Sequence, residues 1–322
     1  MLRLEEFCMQ LFNRTKSGNL REITIFGCKF SYTKKTKMPP HINKNQIWPL
    51  IEKFDKIGIN ADKRSPKLIV SLTSFPERMY EIHYTIYSLL NQTVKPDEVV
   101  LWLAKEQFPG RETDIPQIVL DLQKNGLTIK WCEDLRSYKK LIPTLKEFPD
   151  DIIVIVDDDI YYPDDWLEKL YKQHLKTPEH VIGHRGHKIM INNNGHPLPY
   201  RKWKRNSTQT KPSYRNFMTG CGGILYPPHS LYKDVSNIEL FKKLAPYGDD
   251  IWFWAMTILN NVKIRNFFGR NKKVLLVNPE REMRNTEELT LAKLNIEQDG
   301  NNKQMAAVIA HYPQIIEKLK ED

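Results

Sequence analysis

From Lys67 onward, short apolar runs alternate with longer stretches in which apolar positions recur every three or four residues, and this rhythm predicts strand and helix in turn. Leu68 to Leu72 reads as a strand, Glu77 to Gln92 as a helix and Glu98 to Ala104 as a strand. Ile115 to Lys124 reads as a helix closed by Asn125-Gly126, a common way for helices to end. Leu127 to Cys132, Lys140 to Glu147 and Ile152 to Val156 continue as strand, short helix and strand. A β-α-β-α-β-α-β order implies an α/β fold with a mostly parallel sheet and right-handed crossovers. In the last strand Ile152, Ile153, Val154, Ile155 and Val156 follow one another with no polar alternate, as in a strand covered on both faces.

The pattern differs on either side of this core. Residues 1–66 read as a small N-terminal α+β appendage and linker. An amphipathic opening (Leu2, Leu4, Phe7, Cys8, Leu11, Phe12) leads to two short strands, Glu22 to Phe26 and Lys29 to Tyr32, joined at Gly27, and a helix follows around Lys44 to Ile57. Residues 67–322 read as one domain with a first half over 67–160 and a second over 161–322. In the second half, a helix at Asp165 to Lys176 precedes a strand or hairpin at Val181 to Ile191 that carries His184, Arg185 and His187. Residues 192–216 are polar, basic and poor in aliphatics, a length and composition that suit a lid or an acceptor contact. A glycine-rich stretch with Gly220, Gly222 and Gly223 runs into a strand-like Ile224-Leu225-Tyr226, and Asp249-Asp250 opens an apolar helix. Strands around Val262 to Phe267 and Val274 to Val277, a helix at Glu287 to Leu294, and a final helix opened by Asp299 to Gln304 complete the reading. Asn301, Asn302 and Gln304 either cap that last helix or face a pocket.

Composition narrows the function classes. Among 322 residues, 40% are hydrophobic and 27% charged, ordinary for a globular chain that buries a large core. No apolar run approaches the roughly 18–20 residues of a membrane span, and Met1 to Asn19 lacks a secretory pattern, so the expected location is cytoplasmic, with peripheral contact at the inner membrane face. Cys8, Cys28, Cys132 and Cys221 are scattered without zinc or disulfide spacing. The net charge of +10 calls for an anionic partner. No nucleic-acid-binding module accompanies it, which leaves anionic substrates and a lipid surface.

The candidate chemistry gathers behind the apolar strand, at Asp157, Asp158 and Asp159. Alternation along an extended chain would send Asp157 and Asp159 to the same side, and such a cluster suits Mg²⁺ or Mn²⁺, which take carboxylate oxygens and share their shell with phosphates. A solvated turn feeding a helix at Pro163, Asp164 and Asp165 is the plain alternative. Two loops should meet the same sheet edge. Thr73 to Arg78 offers hydroxyls, backbone N–H groups and the Arg78 cation, or a helix cap at Ser74 with Pro76 in the first turn. Asp134 to Lys140 offers Arg136, Lys139 and Lys140 to a pyrophosphate. One of Asp249 and Asp250 would cap its helix; the other could act as a general base, with Trp252 and Trp254 as platforms for a sugar ring. The spacing of His184 and His187 invites a zinc reading, but no third ligand lies nearby, so surface or acceptor-side roles are expected.

Taken in order, SLTSFPER, HYTIYSLLNQT, DLRSYKKLIP, VDDDIYYPDDW, TGCGGILYPP and GDDIWFWA resemble the nucleotide-sugar-dependent glycosyltransferases of the GT-A fold, and among them bacterial enzymes that build capsule, lipopolysaccharide or other surface glycans. The resemblance spans about Lys67 to Pro313. It implies a Rossmann-like GT-A domain that moves a sugar from a nucleoside-diphosphate sugar to a glycan or lipid-linked acceptor with Mn²⁺ or Mg²⁺, by inversion. It further implies Asp159 as metal ligand with Asp157 toward the metal and the ribose or base, and Thr73, Ser74, Pro76, Arg78 and Asp158 around the nucleoside. Arg136 and Lys139 would lie by the base or diphosphate, Gly222 and Gly223 by the donor sugar or acceptor, and Asp250, beside Asp249, would be the base. A C-terminal histidine completes the metal shell in many such enzymes, and His311 is the one candidate beyond His229. Two rivals are a haloacid-dehalogenase-like phosphatase with Asp157 as nucleophile, against which Tyr161 stands where Thr or Val is usual, and a non-catalytic carbohydrate-binding module.

Overall fold

The computed structural model describes residues 12–17, 20–25, 28–33, 38–267, 275–284, 295 and 299–322. The chain divides into two compact units, Met1–Pro39 and Pro40–Asp322. The smaller holds three antiparallel strands in order, β1 (Phe12–Ser17), β2 (Leu20–Ile25) and β3 (Cys28–Thr33). The amphipathic opening lies outside the described residues except Phe12, which starts β1, and the joint at Gly27 and the helix at 287–294 lie outside them too. The division falls at 39/40 rather than at 66 because Ile42, Ile51 and Phe54 are buried in the same apolar cluster as Leu68 and Val70.

The larger unit runs, in chain order, through α1 (Lys44–Glu52), β4 (Leu68–Thr73), α2 (Ile82–Leu90), β5 (Glu98–Ala104), α3 (Gln117–Asp121), β6 (Leu127–Cys132), α4 (Ile142–Glu147), β7 (Ile152–Ile155), β8 (Ile160–Tyr161) and α5 (Trp166–His174). It continues through β9 (Val181–Gly183), β10 (Gly186–Lys188), β11 (Asn216–Met218), β12 (Ile224–Tyr226), α6 (Ile238–Leu244), α7 (Asp249–Leu259), β13 (Ile264–Asn266), β14 (Leu275–Leu276), α8 (Pro279–Arg284), α9 (Gly300–His311) and α10 (Gln314–Lys320). Seven strands form one sheet in the order β13-β9-β12-β7-β4-β5-β6. Neighbours pair in parallel except β12, which runs antiparallel to both β7 and β9. The α/β fold with a mostly parallel sheet is therefore the one the apolar rhythm implied.

Residues of β7 alternate between two buried clusters. Ile153 and Ile155 join one with Ile224 and Tyr226, and Ile152 and Val154 join the other with Leu68 and Val70. Both faces of the strand are thus covered, which is why it carries no polar residue. The helix expected from Glu77 begins only at Ile82. A separate 3-10 turn spans Pro76–Arg78, because Phe75 at its start offers no side-chain acceptor and the Ser74 hydroxyl is engaged elsewhere.

Strand register positions the site. Ser71 of β4 lies opposite Ile155 of β7, so Ser74 runs out beside Asp158. Ile224 of the antiparallel β12 also pairs with Ile155, which brings the turn before it, Gly220–Gly222, to the end of β7 where the acids begin. A parallel strand at this place would have carried that turn to the opposite edge.

Candidate active site

Past Ile155 the chain leaves the strand and Asp158-Asp159 form a turn, so strict alternation no longer applies. The three carboxylates consequently divide otherwise than expected. Arg78 Nη1 donates to Asp158 Oδ1 at 2.6 Å and lies 2.7 Å from Asp159 Oδ2, while Ser74 Oγ donates to Asp158 Oδ2 at 2.5 Å. Asp157 is held from the other side by Lys140 Nζ at 2.8 Å. With both oxygens taken and a tenth of its side chain exposed, Asp158 anchors the turn; Asp157 and Asp159, 31% and 25% exposed, remain reachable from solvent.

Lys140 joins this edge of the sheet to the start of α7. Its ammonium is buried and lies 2.9 Å from Asp249 Oδ2, an oxygen without an aligned hydrogen-bond donor, as well as against Asp157. Burial works against that charge, but Asp157, Asp249 and Asp250 together hold the lysine proton well above its ordinary value. The Gly220 N–H donates to Asp250 Oδ1 at 3.1 Å. Burial, with the charges of Asp249 and Asp157, pushes Asp250 up to about 8, against the pull of Lys140 and that N–H. Such a carboxyl takes up a proton readily near neutrality, as a general base must.

Gly220 leaves room for the charged pair. A Cβ on it would stand 2.6 Å from Lys140 Nζ and 2.8 Å from Asp157 Oδ1. Gly222 and Gly223 serve packing instead: a Cβ would strike Arg185 at 2.5 Å and Trp166 at 2.1 Å, and Gly223 has φ +79°. Gly220→Ala is expected to lower activity at least about tenfold by displacing the Lys140–Asp157 pair. Gly223→Ala should instead cost about 1–3 kcal/mol of stability through strain at its backbone. Parallel assays of sugar transfer and urea denaturation separate the two, and equal stability losses would refute the distinction.

Other expected site residues lie near the edge with different partners. Thr73 Oγ1 donates to the Trp102 carbonyl and Pro76 opens the 3-10 turn. The 3-10 turn Arg136–Lys140 sends the two lysines to different partners: Lys139 is buried against Asp134 and Gln107, whereas Lys140 reaches the acids. Arg136 donates to the Pro246 carbonyl and sits 4.3 Å from the centre of the Tyr247 ring, bracing the segment that leads into Asp249. Lys140 and Gly220 thus hold places that motif reading leaves to Lys139 and to Gly222 and Gly223.

Three expectations are corrected. Trp252 and Trp254 are no sugar platforms; they are core residues whose indole N–H groups donate to the Val235 and Tyr214 carbonyls. His187 is no surface residue, since its ring is buried and its Nδ1 accepts from the Asn206 N–H, and burial pushes it down to about 4. His184 likewise faces the Trp166 carbonyl, at 3.0 Å. His311 is exposed at the end of α9, and among the described residues no group of three His, Cys, Asp or Glu side chains is arranged to hold a metal ion. Two solvent-reachable carboxylates, Asp157 and Asp159, nevertheless fit the hard-oxygen set with which Mg²⁺ binds alongside substrate phosphates.

The stretch from α4 to residue 232, which contains β7, the acids Asp157 to Asp159 and the glycine turn, matches the model of glycosyl transferase family 2 over residues 142–232. This chain is a glycosyltransferase. The match stops short of Asp249 and Asp250. The glycosyltransferase has an α/β fold with a mostly parallel seven-stranded sheet, the one expected of the GT-A architecture. It is similar to TarS 1-349 of S. aureus, with 16% identity, 79% of this chain and 70% of that one covered and a TM-score of 0.46. It is also similar to the mannosyltransferase PcManGT of Pyrobaculum calidifontis, solved with GDP-Man and Mn²⁺, with 12% identity, 83% and 80% covered and a TM-score of 0.43. A CMP:2-keto-3-deoxy-manno-octonic acid synthetase bound to CTP is a further likeness, with 12% identity, 67% and 95% covered and a TM-score of 0.41. No curated protein sequence matches the chain.

Proposed function

We propose that the glycosyltransferase moves a sugar from a nucleoside-diphosphate sugar to a glycan or lipid-linked acceptor, with inversion and with the help of Mn²⁺ or Mg²⁺, in the synthesis of surface polysaccharide. The observation that carries this reading is the approach of Asp249 and Asp250 to Asp157 across one buried lysine, which sets a proton acceptor facing a donor-side carboxylate.

The roles follow from those contacts. The acceptor hydroxyl attacks the anomeric carbon and passes its proton to an Asp250 oxygen as the new C–O bond forms. The bond between that carbon and the diphosphate oxygen breaks, and the nucleoside diphosphate departs with the electron pair from the opposite face. Asp159 and Asp157 would hold the divalent cation, which supplies charge neutralisation for the diphosphate. Arg78 keeps the acid turn in shape through Asp158 and Asp159, and Thr73, Ser74 and Pro76 form the rim on the nucleoside side. Arg136 and Lys139 brace the loops around the diphosphate, and Gly222 and Gly223 let the turn beside the sugar pack closely.

A panel of nucleotide sugars, each with Mn²⁺ and with EDTA, tests the reading. The right donor should stabilise the protein by about 2.7 kcal/mol at a hundred times its Kd and be slowly hydrolysed, both only with metal. Asp157→Asn and Asp159→Asn should abolish both effects; metal-independent binding in these variants would refute the role of the pair. A net charge of +10, with Trp48 and Leu50 exposed on α1 beside Lys44 and Lys53, supports peripheral contact with an anionic membrane face. Co-sedimentation with phosphatidylglycerol vesicles that weakens at high salt, and is absent with neutral vesicles, is the expected result.

A further inference from the structure

A cavity of about 400 Å³ opens between the loop after β10 and the start of α9, lined by Tyr200, Arg201, Arg205, Asn295, Asp299 and Asn302. Its volume falls in the range of roughly 300–1,000 Å³ typical of small-molecule sites. Hydrogen bonds fix its walls. Asn302 Oδ1 accepts from the Tyr200 N–H at 2.7 Å, and the Asn302 amide donates to Asp299. Asn295 Nδ2 donates to the Tyr247 carbonyl at 2.7 Å, and Gln304 spans from Asn295 to the Tyr247 N–H. Tyr247 stands two residues before Asp249, so the cavity wall and the start of α7 are one braced piece.

The wall amides and Asp299 are satisfied within the protein. What remains for a ligand is the Tyr200 phenol and two guanidinium groups, set against the single negative charge of Asp299. Arg201 and Arg205 are exposed, neither pairs with a carboxylate among the described residues, and Arg205 lies 5.7 Å over the Tyr200 ring. Guanidinium forks match the two oxygens of a carboxylate or a phosphate. A neutral sugar would offer neither guanidinium a charged partner.

We propose that this cavity holds the acceptor by an anionic substituent, a carboxylate or phosphate on a sugar or polyol, clasped by Arg201 and Arg205 over Tyr200. The word acceptor rests on the glycosyltransferase reading above; the preference for an anion does not. Burial and the negative charge of Asp250 hold the Tyr200 proton up to about 12. The hydrogen bonds from Asn295 and Gln304 to Tyr247 tie this cavity to the segment that leads into Asp249 and Asp250, so an acceptor anchored here lies on the side of the chain that carries the base.

Titration calorimetry with glucose 6-phosphate, glucuronate and glucose tests this on the full chain. At least one of the two anions should bind about tenfold or more tightly than glucose, as one charge-assisted hydrogen-bonded contact provides. The phosphate and carboxylate arms show which group fits. In the Arg201→Gln/Arg205→Gln variant, whose altered side chains are exposed and whose fold is checked by circular dichroism, the advantage should fall below about twofold. Equal binding of all three sugars, or an undiminished preference in the variant, overturns the proposal. Metal-dependent hydrolysis of a nucleotide sugar by the unaltered chain is read in parallel. Anion preference without hydrolysis would remove the acceptor role and sink the glycosyltransferase reading, whereas hydrolysis without anion preference sinks the cavity assignment alone.

Discussion

Asp250→Asn lowers sugar transfer by about 10²–10⁴-fold, the usual contribution of a positioned general base, and at pH 8.5 it makes the protein more stable. Both outcomes come from one cause. Burial and the neighbouring Asp249 and Asp157 push Asp250 up to about 8, whereas in the unfolded chain it returns to an ordinary carboxylate near 3.8. Between those values the folded state holds a proton that the unfolded state has lost. Stability contributed by this group is therefore highest below about pH 4, falls as pH rises, and is lowest above about 8. Asparagine has no charge to bury and its side-chain oxygen can still accept from the Gly220 N–H. The variant should gain on the parent as pH rises and show little difference at pH 4.

The acid limb of kcat/KM reports the same group from the catalytic side, since the base works only when ionised. The rate should climb with pH to a plateau above about 8, and the residual rate of the variant should lack that limb. The other groups around Asp250 hold their protons through this window: burial pushes Tyr200 up to about 12 and Cys221 up to about 11, and Tyr138 and Tyr226 are raised as well. Urea titrations at pH 4 and 8.5, with a pH–rate profile, decide the matter. A variant less stable than the parent at both pH values, or one that transfers sugar normally, removes Asp250 from the role of base.

Lys140→Met should cost about 3–5 kcal/mol of stability, the magnitude found when a buried ion pair loses one partner. Lys140 is the cation that Asp157 and Asp249 share, so methionine leaves their charges facing one another and Asp250 without it. Raising the pH should worsen the defect, because the carboxyls can then no longer escape by taking up protons. Lys140→Met/Asp249→Asn should recover a substantial part of the loss, since one of the opposed charges is then gone; the double-mutant cycle isolates the coupling. A single-variant loss under about 1 kcal/mol would show that the lysine is better solvated than its burial indicates.

The likeness of the chain to itself at short range made the frame legible. Strands β5 and β6 begin and end at the residues that the apolar runs marked, and β7 ends one residue earlier than expected. Gly126 ends its helical turn with φ +113°, as Asn125-Gly126 signalled. These features depend on side-chain period and on the backbone needs of single residues, which neighbours in sequence decide. The acid triplet, the glycine turn and Asp249-Asp250 were visible as separate stretches for the same reason.

What tertiary structure decided is which member of each stretch meets which. Lys139 and Lys140 are equivalent in composition, and a 3-10 turn packed under β4 sends one to Asp134 and the other to Asp157. Gly220 rather than Gly222 or Gly223 touches the charged pair because β12 runs antiparallel to β7, a pairing that no local pattern encodes. Trp252 and Trp254 became core because α7 is covered along its length, and the cavity at Arg201 and Arg205 exists because α9 folds back on a loop a hundred residues earlier in the chain. Local periodicity specifies elements; partners distant in sequence specify the direction in which their charged ends point, and in this glycosyltransferase the chemistry lies in those directions.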